Sequence, residues 1–159
     1  MFSYLIEDQD DTTVVKFTGP INEEAAGPLN NLQNEASSGK MVVFDMEGIE
    51  YVNSLGIRTW INFLRTFGEG RSLEMRNCPP DVIVQINMIP KFAGTAKITS
   101  FKGFYICPEC DHEQTEHFDC SVGTDAILEQ NSTIKCQKCG AATEMESDED
   151  IYFEFLNAS

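Results

Sequence analysis

Met41-Val42-Val43-Phe44-Asp45 opens the stretch that decides the fold, and it runs through Met46-Glu47-Gly48-Ile49-Glu50-Tyr51-Val52 into Asn53-Ser54-Leu55-Gly56. Its first residues form a continuous apolar run bounded by turn formers, the pattern of a central strand buried on both faces. A helix follows Gly56. Ile57, Trp60, Ile61, Leu64 and Phe67 recur at helical spacing, while Arg58, Thr59, Asn62, Arg65 and Thr66 take the opposite face. Gly68 and Gly70 end the helix.

Working back toward the N-terminus, Phe2, Tyr4 and Ile6 alternate with period two, Asp8-Gln9-Asp10-Asp11 is a turn cluster, and Val14-Val15-Lys16-Phe17 is a second strand. The chain therefore opens with a hairpin. Asn22 reads as the cap of a first helix, with Glu23 and Glu24 in its favoured first turn and Ala25, Ala26, Leu29 and Leu32 on one face. Pro28 should kink that helix or delay its start, and Ser37-Ser38-Gly39 should stop it. Downstream, Ser72-Leu73-Glu74-Met75-Arg76 is a strand. Pro79-Pro80-Asp81 starts a third helix with Val82, Ile83, Ile86 and Ile89 inward, which Pro90 ends, and Lys97-Ile98-Thr99-Ser100-Phe101 is the last strand. The order β-β-α-β-α-β-α-β is an α/β fold: a mixed sheet with covering helices joined by right-handed crossovers.

This order, the stretch from Val42 to Gly56, and the turn Gly19-Pro20-Ile21-Asn22 resemble a STAS domain, the fold of bacterial anti-sigma factor antagonists. The resemblance covers about residues 1–102, and the domain it implies is residues 1–103. In that family the turn before the second helix reads Asp-Ser-Ser-Gly, and its second serine is phosphorylated by a partner kinase. Carried onto this chain, the family's two accompanying aspartates become Asn22 and Asn53, and the phosphoacceptor becomes Leu55. A leucine cannot accept phosphate, so the resemblance implies a docking module without the usual switch. Ser54 is the neighbouring hydroxyl, read here as the helix cap rather than a phosphosite. The surface on which family members meet partners falls on Asn22, Asn53, Ser54, Leu55, Arg58, Thr59 and Asn62. The partners implied are an anti-sigma kinase, a phosphatase, or further copies of the chain. Transport accessory subunits are the alternative, since such domains also attach to membrane transporters.

Residues 104–146 carry a different signal. Cys107-Pro108-Glu109-Cys110 and Cys136-Gln137-Lys138-Cys139 are two C-x2-C turns, and Gly140 is free to take positive φ after the second. Zinc favours four soft ligands in a tetrahedron, and two such turns supply two each. The expected group is a zinc-ribbon-like β module of short strands around a structural Zn2+ held by Cys107, Cys110, Cys136 and Cys139. Four thiolates leave no open position for catalysis. His112, His117 and Cys120 lie outside the paired pattern, and Cys78 and Cys120 read as small buried residues. A redox dithiol at Cys107 and Cys110 would open a helix, whereas Asp111-His112-Glu113-Gln114-Thr115 carries no helical apolar stripe. The segment offers little core of its own, so metal binding should do much of its folding. Residues 147–159 are expected to return to the first domain. Ser147-Asp148-Glu149-Asp150 resembles a helix start, although a strand through Ile151 to Phe155 is also open.

The 159 residues carry a formal charge of −15, concentrated at the C-terminal end. There, residues 104–159 hold 13 carboxylates against Lys135 and Lys138, a balance of −11. Such an end repels nucleic acid, which argues against nucleic-acid binding by the cysteine segment. No apolar run reaches the roughly 18–20 residues that span a bilayer, and the N-terminus lacks a basic, then apolar leader. Both point to a cytoplasmic protein that inserts in no membrane. No nucleophile–base pair or glycine-rich phosphate loop is evident, so an enzyme is not expected.

Overall fold

The computed structural model describes residues 1–36 and 41–157; the stop expected at Ser37-Ser38-Gly39 lies outside them. Two strands, β1 (Ser3–Gln9) and β2 (Thr12–Ile21), make the opening hairpin. A 3-10 turn at Glu23–Ala25 leads into α1 (Ala26–Glu35). Pro28 thus sits in the first turn of the α-helix, where a missing N–H costs no intrahelical bond.

The central strand β3 (Met41–Val52) is longer than its apolar run. It pairs with β2 in parallel beyond Asp45, through a register shift between Lys16 and Thr18. Next come α2 (Ser54–Phe67), β4 (Leu73–Arg76), α3 (Pro80–Met88) and β5 (Lys97–Ile98). The sheet order is β1-β2-β3-β4-β5, antiparallel at the first pair and parallel at the rest. One sheet face is sealed by aromatics. Trp60 packs 5.4 Å from Phe17 and 5.9 Å from Phe44, and its indole N–H donates to the Phe92 carbonyl. Phe63 of α2 is also buried, while Ile57 and Ile61 are only half-buried, so the inward stripe is rotated from the one expected.

The last expected strand divides. Thr99 donates its N–H to the Met75 carbonyl, whereas its own carbonyl accepts from Cys120. The chain there leaves the first sheet as β6 (Ser100–Ile106). β6 is the centre of a second sheet, between β7 (Glu113–Asp119) and the short β8 (Glu144–Met145). Between the cysteine turns the chain is not all strand. Helix α4 (Thr124–Ser132) follows β7 and buries Ile127. Ala126, Leu128, Glu129 and Gln130 are good helix formers, and the helical preference prevails over the short-strand reading. The last segment is helical as well. The Asp148 carboxylate accepts from the Asp150 N–H and caps α5 (Glu149–Tyr152), which runs into a 3-10 turn at Glu154–Asn157.

The two sheets share one hydrophobic core. Phe101 stacks on Phe118 at 5.1 Å and meets the edges of Phe153 and Phe155. Tyr152 donates its hydroxyl to the Lys102 carbonyl, and its own carbonyl accepts from Asn87 of α3. The cysteine segment therefore has more core than its sequence suggests, because Phe118 and Ile127 pack into a cluster continuous with the first domain. The boundary expected at residue 103 falls inside β6.

Candidate docking surface and metal centre

At the start of α2, Asn53 is extended and its side-chain oxygen accepts the Gly56 N–H at 2.8 Å. Asn53 is therefore the cap, and Ser54 is the first helical residue. The expectation of a Ser54 cap is corrected, because an asparagine one residue earlier already meets the free N–H. Asn53 also donates through its amide to the Glu23 carboxylate at 3.1 Å. The Glu23 backbone N–H and this amide hold the Glu23 carboxyl below its ordinary range. Asn22 accepts from the Glu24 N–H at 2.9 Å. The two asparagines thus fold the ends of β2 and β3 into adjacent turns, and both spend their side-chain oxygens on backbone N–H groups.

Gly56 explains why a glycine stands here. A Cβ at that position would lie 2.0 Å from the Ile21 carbonyl oxygen. The first turn of α2 is in contact with the end of β2, with no room for a side chain.

Beyond the turn, Leu55 is 63% exposed, with Tyr51 at 46% near the end of β3. Arg58 and Asn62 are exposed and Thr59 half-buried along α2. Thr59 and Asn62 also line a shallow groove of about 340 Å³ between α1 and α2, with Leu29, Asn30 and Gln33 on its other wall. The sequence alone did not bring Glu23, Asn30 or Gln33 to this surface. Only tertiary placement brings the α1 residues to this surface.

The cysteines converge. The Sγ atoms of Cys107, Cys110, Cys136 and Cys139 all lie within 4.8 Å of one another, with Cys107–Cys139 at 3.5 Å and Cys110–Cys136 at 3.6 Å. A tetrahedron with metal–sulfur bonds of about 2.3 Å has edges of roughly 3.8 Å, so the donor set fits a tetrahedral metal ion. Among the described residues, His112, His117 and Cys120 are not in this group. The two turns share one backbone pattern. Cys107 donates to the His112 carbonyl and Asp111 to the Cys107 carbonyl; Cys136 donates to the Ala141 carbonyl and Gly140 to the Cys136 carbonyl. Asp111 and Gly140 both take positive φ, at 63° and 80°. Gly140 was legible from sequence, whereas Asp111 fills the same role with a side chain that tolerates the left-handed region. Burial works against ionisation of Cys136, but the N–H groups of Cys139 and Lys138 aimed at its sulfur hold its pKa down to about 6. Away from this group, Cys78 is buried and its thiol is pushed up by desolvation. No helix among the described residues is long and apolar enough to cross a membrane.

Comparison with family models supports the fold. The STAS domain family matches residues 3–94. No curated protein matches by sequence. Among solved structures, an anti-sigma factor antagonist from Mycobacterium paratuberculosis is 18% identical, with a TM-score of 0.49 over 62% of this chain and 85% of its own. A variant of RsbS from Moorella thermoacetica is 21% identical, with a TM-score of 0.48 over 59% of this chain and 84% of its own. The structure of Mglu is 18% identical, with a TM-score of 0.40 over 45% of this chain; the match spans only 18% of Mglu.

Proposed function

The chain belongs to the STAS domain family, and from that premise we propose that it is a non-enzymatic, protein-binding regulatory module of the anti-sigma factor antagonist kind. It docks through the start of α2, and its docking is not switched by phosphate at the family's usual position. The observation that carries this reading is Leu55. It is 63% exposed beside the capped turn, at the position where the resemblance places a phosphoacceptor. An exposed apolar side chain on a helix whose exposed residues Arg58 and Asn62 are polar is the composition of a small protein contact. The groove between α1 and α2 extends the contact sideways. The partner is an anti-sigma kinase, a phosphatase or a second copy of the chain, and the setting is bacterial and cytoplasmic.

The four cysteines hold a structural zinc ion in this account. The donor set supports it, because four soft thiolates at tetrahedral spacing suit zinc and leave no open coordination position. The metal ties the two cysteine turns together at one end of the second sheet. Residues 1–98, with the five-stranded sheet, form the docking domain, residues 100–146 the metal module, and residues 147–157 the segment that returns to α3 and β6.

The docking claim is tested by affinity capture with wild-type protein beside Leu55→Glu, followed by mass spectrometry. A kinase-like, phosphatase-like or self partner retained by wild type and lost with Leu55→Glu is the expected result. Equal retention by both moves the functional surface elsewhere. Intact-mass measurement of the protein from its native cells should show no phosphate on Ser54; stoichiometric phosphate there refutes unswitched docking.

A further inference from the structure

Gln114 of β7 stands between the two cysteine turns. Its side chain is only 6% exposed, and both ends of its amide are engaged. Its oxygen accepts the Gln137 backbone N–H at 3.0 Å, and its nitrogen donates to the Lys135 carbonyl at 3.1 Å. These two backbone groups flank Cys136 on either side, and because one is a donor and the other an acceptor they fix the orientation of the amide. Glu116 adds a second tie. Its carboxylate accepts from Gln114 at 3.2 Å and from the Gln137 side-chain amide at 3.2 Å. The strand carrying these residues begins at Glu113, next to His112, whose carbonyl accepts from Cys107. The side chains of one strand thus connect the exit of the first cysteine turn to the backbone of the second.

The first turn makes no such use of its own backbone. At the position matching Gln137 it carries Pro108, which has no N–H to give. The clamp is therefore specific to the second turn, which reaches the cluster only after the excursion through α4.

Resting on the metal reading above, we infer that Gln114 is the positioning residue of the metal site: it holds Cys136 and Cys139 opposite Cys107 and Cys110 before any ion arrives. Metal then binds a site already assembled rather than organising a loose segment. Groups that orient ligands without touching the metal typically change metal affinity by about 10–100-fold when removed.

The test uses the full chain, stripped with a chelator and titrated with Co2+, whose visible absorption reports tetrahedral thiolate coordination. Zn2+ affinity follows from competition with a chromophoric chelator. Gln114→Met keeps the buried volume and deletes all three hydrogen bonds of the side-chain amide. Gln137→Pro removes the N–H from the other side of the clamp, with the residue type that the first turn already tolerates. Emission of Trp60, the chain's one tryptophan, checks independently that the first domain is folded. The expected result is affinity weakened about 10–100-fold by each substitution, with Trp60 emission unchanged. Wild-type affinity in both variants overturns the positioning role while leaving the metal site standing. So does loss with Gln114→Ala but not with Gln114→Met, which reduces the effect to packing. A wild-type protein that takes up neither ion defeats the metal reading itself.

Discussion

Replacing Gly56 by alanine should damage the fold where it supports docking. Gly56 lies in the first turn of α2 and is buried. An added Cβ would stand 2.0 Å from the Ile21 carbonyl oxygen, 2.4 Å from its carbon and 2.7 Å from the Asn22 nitrogen. All three are backbone atoms, so no side-chain rotation relieves the clash, and α2 must shift by an ångström or more. Overpacking of this kind costs about 1–3 kcal/mol. The shift also strains the bond from the Gly56 N–H to Asn53, and a lost cap costs typically about 1 kcal/mol. The total is about 2–4 kcal/mol. Urea unfolding followed by Trp60 emission measures it, because Trp60 is fully buried against Phe17 and Phe44. Gly27→Ala is the control: nothing lies within 4 Å of a Cβ there, and the residue is helical. Alanine should be neutral or stabilise by up to about 1 kcal/mol at that position. A Gly56→Ala protein within about 0.5 kcal/mol of wild type, the usual span of surface substitutions, would refute the close approach of α2 to β2.

Three other outcomes follow from the same geometry. Asn53→Ala removes both the cap on Gly56 and the tie to Glu23, and should cost about 1 kcal/mol by urea unfolding. Leu55→Ala should stay within about 0.5 kcal/mol of wild type, since the side chain is mostly in solvent; a large loss would mean that Leu55 is core rather than contact. For the metal, a thiol-reactive dye at neutral pH should react slowly with the zinc-loaded protein. Cys78 is buried and the Cys120 thiol is pushed up to about 11, by burial first and by Asp119 second. Chelation should then expose the four clustered thiols, and denaturation all six cysteines. A chelator that exposes none would show that no ion was held.

Much of the architecture was legible in the sequence because the relevant signals are local. The apolar run at Val42–Phe44, the helical stripe around Trp60 and the C-x2-C spacing each specify their own element. What was hidden depended on partners far along the chain. The strand through Lys97–Phe101 reads as continuous, but Thr99 bonds to Met75 on one side and Cys120 on the other, and the chain changes sheets there. Phe118 and Ile127 look like too little core until Phe101, Tyr152 and Phe153 are brought against them. The expected Ser54 cap gives way to Asn53 because both are good caps in adjacent positions, and the end of β3 decides which of them is extended. Gln114 gave no sequence signal, since its role arises from backbone groups more than 20 residues away.

In the proposed function the start of α2 is where the protein meets its partner. A photo-crosslinking amino acid placed at Leu55 in the native cell tests it most directly, with the same probe at Leu5 as reference, an equally exposed leucine on β1. A discrete crosslinked protein of defined mass is expected from position 55, diminished by Arg58→Glu and absent from position 5. A crosslink from position 5 with none from position 55 would contradict it.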